Sequence, residues 1–272
     1  MYPQNQMRTV RVLAVSDLWQ NRRQLEELRA AVTHHRPDCV AFVGDILAPK
    51  AGVEHASLSE TARQLALLPA EHLVFLRGEN ERENWLEFRH CWPHADRPLV
   101  ALHGTAHAVG PLVIVGFPCR LGSDASWRRA LPKQGNVVLL DPFQSGRKRL
   151  PRTSAWLPQL LEQWGQAGRS LWLMHEPPVK ALANDSTYNP VWGRAVQKHR
   201  PLLVVSGHDR HAPVIHRKWL SQIGASYCVN PGQGLPQLSY SVAEFSFESD
   251  EPSLATTMLV EVFPWGTEET KN

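Results

Sequence analysis

The chain has 272 residues, 43% of them apolar and 20% charged, with a net charge of +3. That is enough to bury one sizeable core, and the composition is that of an ordinary soluble globular protein. No apolar run approaches the roughly 18 residues of a membrane span. Met1 to Thr9 lacks the apolar centre of a signal peptide, so a cytoplasmic protein without membrane association is expected.

Short apolar runs alternate with helical stretches. Val10 to Val15 reads as a strand interrupted only by Arg11. Asn21 caps a following helix whose Leu25, Leu28 and Val32 share one face, and Pro37 ends it. Cys39 to Val43 reads as a second buried strand, Ser57 to Leu68 as a helix, and His72 to Leu76 as a third strand. Such βαβ units imply parallel pairing with both sheet faces covered. The rhythm resumes with strands at Leu112 to Val115, Leu171 to Met174, Leu202 to Val205 and Met258 to Phe263, and a helix from Pro158 to Gln166. Thr267 to Asn272 reads as a frayed tail.

Residues 118–153 stand apart. This stretch is rich in Gly, Pro, Ser and Arg, with one apolar run, Val137 to Leu140. Eight basic residues there face only Asp124 and Asp141, so the segment carries +6 and the rest of the chain −3. A loop of this length inside a compact domain reads as a functional insertion or a partly mobile segment. The expected organisation is a single domain, 1–272, carrying this basic insertion. The four cysteines are scattered and form no C-x-x-C pair, which gives no support to a zinc ribbon or a thioredoxin-like motif. Cys39 and Cys228 read as small buried hydrophobes.

The chemistry-bearing residues follow the strands, where α/β sheets bind ligands. Successive strand ends read Ser16-Asp17-Leu18-Trp19, Gly44-Asp45, Gly78-Glu79-Asn80-Glu81, His175-Glu176 and Gly207-His208-Asp209-Arg210-His211. One Asp after a strand is usually a turn former. Five acidic or imidazole-bearing tips at one sheet edge are hard to explain by turn chemistry. Oxygen and imidazole donors without thiolate suit Mn, Fe, Zn or Ni.

In this order the motifs resemble the calcineurin-like metallophosphoesterases, whose pattern is D-x-H, G-D, G-N-H-[DE], a His, and G-H-x-H. The resemblance runs from about Val10 to Phe263, and Val229-Asn230-Pro231-Gly232 is similar to an N-P-G turn of one bacterial branch. It implies an α/β fold of two mixed β-sheets packed as a sandwich flanked by helices (αββα), with metal between the strand tips. It also implies that Asp17, Asp45, His175 and His208 are metal ligands. Three positions depart. Trp19 replaces a His, Glu79 and Asn80 replace Asn and His, and Arg210 replaces the last His, with His211 one place later.

By that resemblance one metal position keeps Asp17 and Asp45 but has Trp19 and Arg210 for its other two ligands. The other becomes Asp45, Glu79, His175 and His208, all able to bind a cation. The expectation is one divalent ion, or two if a one-residue bulge swings His211 inward. Arg210, whose guanidinium pairs with phosphate oxygens, and Asn80 would bind the phosphoryl group. In an alternative register Asn80 is the ligand and Glu79 an insertion. Trp19 stacks on an aromatic group of the substrate or fills the space of a missing ion.

Three functions compete. One is hydrolysis of a phosphomonoester or phosphodiester, with a phosphorylated small molecule or nucleotide as substrate. A second is a catalytically inactive relative that binds a phosphorylated ligand or a protein partner. The third is action on nucleic acid through the basic insertion.

Overall fold

The structure is a computed structural model and describes residues 7–49, 54–93, 99–102, 105–117, 169–184, 190–248, 255–264 and 266–271. The basic insertion, the Val137 to Leu140 run and the helix expected from Pro158 lie outside the described residues.

The first half runs β1 (Met7–Val15), α1 (Arg22–His35), β2 (Cys39–Val43), α2 (Leu58–Ala66), β3 (His72–Leu76) and α3 (Glu81–His90). Next come β4 (Val100–Ala101), β5 (Thr105–Val109) and β6 (Leu112–Phe117). The second half holds β7 (Ser170–Met174), α4 (Pro190–His199), β8 (Leu203–Ser206), α5 (Ala212–His216), β9 (Leu220–Ile223) and β10 (Ser226–Val229). It closes with β11 (Tyr240–Glu248), β12 (Ala255–Phe263) and β13 (Gly266–Lys271).

The strands form two mixed sheets, ordered β13-β12-β11-β1-β2-β3-β4 and β5-β6-β7-β8-β10-β9. Period-two side-chain geometry explains why the apolar runs are continuous. In β1 to β3, Val12, Ala14, Cys39, Ala41, Val43, Val74 and Leu76 face the core shared by both sheets. Their neighbours Leu13, Val15, Val40, Phe42, Leu73 and Phe75 face α1, α2 and α3. On the second sheet Leu171 and Leu173 point into the shared core, whereas Trp172 and Met174 pack beneath Trp192 and Val196 of α4.

The capping read from sequence is present. The Asn21 side chain accepts from Gln24 N and opens α1, which ends at Arg36 in the left-handed conformation. Ser57 does the same for α2 through Glu60 N.

The expected mixed sheets are present: β1, β2 and β3 pair in parallel, while β11 lies antiparallel between β1 and β12. The Arg11 and Glu244 side chains bridge β1 and β11. One expectation is corrected. The expected tail is instead β13, antiparallel to β12 from Thr257–Lys271 to Val262–Gly266. β13 lies at the edge of the first sheet. No helix among the described residues is long and apolar enough to cross a membrane.

Candidate metal centre

The tips of β1, β2, β3, β7 and β8 converge at one end of the sandwich. Asp17 and Asp45 are buried at 1% and 3% exposure, and His175 at 1%. The Glu79 carboxylate lies between two imidazoles, its Oε2 3.2 Å from His175 Nε2 and 3.0 Å from His208 Nδ1. His175 Nε2 is also 3.6 Å from Asp45 Oδ1. Two donor groups result: Glu79 with His175 and His208, and Asp17 with Asp45 and His175, each set of ligand atoms lying within 4.8 Å.

His175 Nδ1 lies 2.8 Å from the Val43 carbonyl oxygen. That carbonyl can only accept, so Nδ1 carries the proton and Nε2 faces the cluster, the usual orientation of a ligating histidine. His175 Nε2, His208 Nδ1, Glu79 Oε2 and Asp17 Oδ1 are buried, yet none makes a well-formed hydrogen bond among the described residues. Convergent buried donor atoms of this kind, all oxygen or imidazole nitrogen, fit a divalent cation.

The electrostatics agree. Burial disfavours charge on His175, but Asp45, Glu79 and Asp17 push its pKa well above the ordinary value. Burial also works against the Glu79 carboxylate, and the two imidazoles hold its pKa well below the ordinary range. Asp17 is pushed up to about 6, mainly by burial and secondarily by Asp45, against the pull of His175. Positive charge among these groups is favourable, whether protons or a metal supplies it.

Backbone strain fixes the tips. Asp17, Trp19, Gln20, Asp45 and His208 all have positive φ, between 50° and 63°, a region costly for non-glycine residues. Hydrogen bonds hold them there: Asp17 N donates to Gly44 O, Trp19 N to Asp45 O and Gln20 N to Ile46 O. Close approach adds constraint. A Cβ on Gly44 would lie 2.3 Å from His175 Nδ1, and one on Gly78 would lie 2.0 Å from Asp45 Oδ1.

Some positioning residues had no role assigned from sequence. Glu81, fully buried, accepts from Gly78 N at 2.7 Å, Asp45 N at 3.0 Å and Leu47 N at 2.9 Å. It ties the β3 loop to the β2 loop, and burial, with Asp45 nearby, raises its pKa to about 7. Asn230 of the N-P-G turn donates to the carbonyls of Leu182 and Asp209, which braces the loop bearing His208. Gln20 joins the β1 loop to Ala48 and Ala56. A glutamine has no distinctive sequence signal, whereas the acid two residues after Glu79 had one.

The remaining candidates divide. Asn80 N donates to Asp45 Oδ1, and its amide Nδ2 donates to Asp45 Oδ2 at 2.8 Å. It therefore orients Asp45, and Glu79, not Asn80, faces the two histidines. The Arg210 guanidinium carbon lies 3.8 Å from the centre of the Trp19 ring. Burial lowers the Arg210 pKa, while Asp17 and Asp45 favour its charge. The inward swing of His211 does not occur. The residue is exposed at the N-cap of α5, and Gly234 lies so close that a Cβ on that glycine would sit 2.9 Å from the His211 Nδ1.

No protein-family model and no curated protein matches the sequence. Solved structures do match. A dimetal phosphatase from Danio rerio aligns with TM-score 0.60 at 14% identity, over 96% of this chain and 97% of its own. The calcineurin-like phosphoesterase YfkN from Bacillus subtilis aligns with TM-score 0.51 at 12% identity, over 98% and 91%. GAP50, the anchor in the inner membrane complex of Plasmodium, aligns with TM-score 0.54 at 8% identity, over 97% and 89%.

Proposed function

We propose that this chain, which has the fold of the calcineurin-like metallophosphoesterases, is a metal-dependent phosphoesterase working with one divalent ion. The observation that carries this reading is the Glu79 carboxylate held 3.0 and 3.2 Å from two imidazole nitrogens. Asp45, Glu79, His175 and His208 would hold the ion. When bound, the ion supplies Lewis acidity and a water that ionises near neutral pH. The substrate is a phosphomonoester or phosphodiester of a small molecule or nucleotide, and the metal is Mn, Fe, Zn or Ni.

The chain's own groups supply the rest. Arg210 brings a fixed positive charge to the Asp17 and Asp45 side of the site, where it attracts a phosphoryl group electrostatically. Asn80 keeps Asp45 aligned and retains a second amide hydrogen for a phosphoryl oxygen. It has no proton to give a leaving group, and general acid help is worth about 10²–10⁴-fold. Turnover should therefore be fastest with good leaving groups.

The test is hydrolysis of bis-(p-nitrophenyl) phosphate with Mn, Ni or Zn, alongside the metal content of wild type and His208→Ala. Metal-dependent turnover that the substitution abolishes is expected, and equal rates in both proteins would overturn the reading. A second reading, an inactive binding protein, is favoured by the Trp19–Arg210 stack standing where two donors would be needed for a second ion. Retained metal without turnover would select it. Action on nucleic acid rests on the basic insertion alone, and loss of DNA retention on neutralising its arginines tests it.

A further inference from the structure

A cleft of about 490 Å³ opens beside the candidate metal ligands, lined by Leu18, Trp19, Asn21, Pro49, Glu54, His55 and Arg210. Its size falls in the roughly 300–1,000 Å³ range of small-molecule sites, too small for a protein domain or a duplex. Its walls are fixed by the main chain. Trp19 N bonds to Asp45 O, Arg22 N to Glu54 O and Ala56 N to Gln20 O, and residues 21 and 55 form an isolated bridge.

The chemistry of the walls is selective. Leu18, Pro49 and the Trp19 ring are apolar, and Arg210 is the single fixed cation. Its guanidinium already lies over the indole and within the influence of Asp17 and Asp45. With Glu54 on the rim, the cleft is poorly suited to a second phosphate. It is suited to a flat, uncharged ring beside an existing aromatic–guanidinium stack. Two buried donors, Trp19 Nε1 and Arg210 Nε, have no hydrogen-bond acceptor among the described residues. Buried donors left so are costly, and acceptor atoms on a ligand that displaces the stack would satisfy them.

Resting on the phosphoesterase reading, we infer that this cleft is the subsite for the organic part of the substrate. The substrate class is then a phosphoester whose organic group carries a planar heteroaromatic ring with acceptor atoms. Trp19 is a specificity-determining residue: it stands where a ligand for a second ion would stand, and it selects substrates by stacking.

Adenosine 5′-monophosphate and ribose 5-phosphate share the same scissile ester and leaving oxygen and differ in the base. With Mn²⁺ the ratio of their kcat/KM values should be about tenfold or more in favour of the nucleotide. Trp19→Leu should bring that ratio towards one, and Trp19→Phe should keep most of it. A ratio near one in wild type, or a high ratio surviving Trp19→Leu, overturns the subsite while leaving phosphoester hydrolysis standing. If neither compound is hydrolysed, or if Trp19→Leu does not fold, adenosine titration of wild type and Trp19→Phe followed by the indole N–H resonances decides. A saturable shift of the signal missing in Trp19→Phe supports the subsite even where hydrolysis fails. Its absence overturns the subsite.

Discussion

The two sides of the centre share a scaffold and differ in side chains. Both hang on strand tips locked at positive φ, and Asp45 and His175 stand between them. On one side a carboxylate faces two imidazoles at 3.0 and 3.2 Å. On the other an indole and a guanidinium stack at 3.8 Å beside Asp17 and Asp45. The first side needs positive charge from solution. The second carries its own, fixed by a group that stays protonated at any ordinary pH. One backbone arrangement can thus neutralise buried carboxylates in two ways, and only one of them can activate a water.

The sharpest way to break this comparison is to remove the shared histidine. His175→Ala should abolish metal retention, lowering affinity by more than the roughly 10–100-fold typical of outer-shell partners. Calorimetric titration with Mn²⁺ checks it, and unchanged affinity would place the ion elsewhere. The Trp19→His, Arg210→His double variant should convert the second side into the first, raising bound Mn from one to two per chain by elemental analysis. Wild type already binding two would erase the distinction. Arg210→Ala should leave metal content at one and lower kcat/KM about 10²–10³-fold, the scale of a lost charge-stabilising donor.

Protonation separates the sides more gently. Folded Glu81 holds its proton to about pH 7 against an ordinary value of 4.5, Asp17 to about 6 against 3.8, and the His175 pKa is raised as well. In the metal-free protein these groups therefore bind more protons in the folded state than in the unfolded one between about pH 4.5 and 7, while burial of His35, His107 and His199 works the other way. Stability from these groups is full at the acid end of that window and falls as pH rises. Metal binding runs the other way, since ligands must shed protons. Melting curves at pH 5.5 and 8 should show a falling metal-free Tm and a growing stabilisation by Mn²⁺. The smallest effect is a control far from the site. Ser57→Ala removes the α2 cap and should cost about 1 kcal/mol of stability with no change in metal affinity.

Most of the strands readable from sequence are buried on both faces, because a parallel strand under helices is a continuous apolar run. β1, β2, β3, β7 and β8 are of this kind, and they deliver the site. β12, antiparallel to both its neighbours, was readable as well. β11 escaped because it is antiparallel and mixed. Phe245 and Phe247 are buried, while Glu244 pairs with Arg11 across the ladder. α3 was hidden by charge, with Trp85 and Phe88 as the apolar residues packed on the core among its described side chains. At the site, residue types and order were enough to nominate Asp17, Asp45, His175 and His208. They could not decide between Glu79 and Asn80, because neighbouring residues after a strand point to different sides and the turn alone decides which. The idea that His211 rescues a ligand failed for the same reason: the turn into α5 carries it outward.

The close approach at Gly44 and Gly78 has a consequence for how such a site can change. What fixes the loops is the lack of any side chain at those two positions, together with amide-to-carbonyl ties made by the main chain and not by any side chain. A metal-binding side chain can therefore be exchanged for an indole or a guanidinium without dismantling the frame. Ion stoichiometry becomes an editable property of this architecture, altered one side chain at a time, while the mould that holds the loops persists.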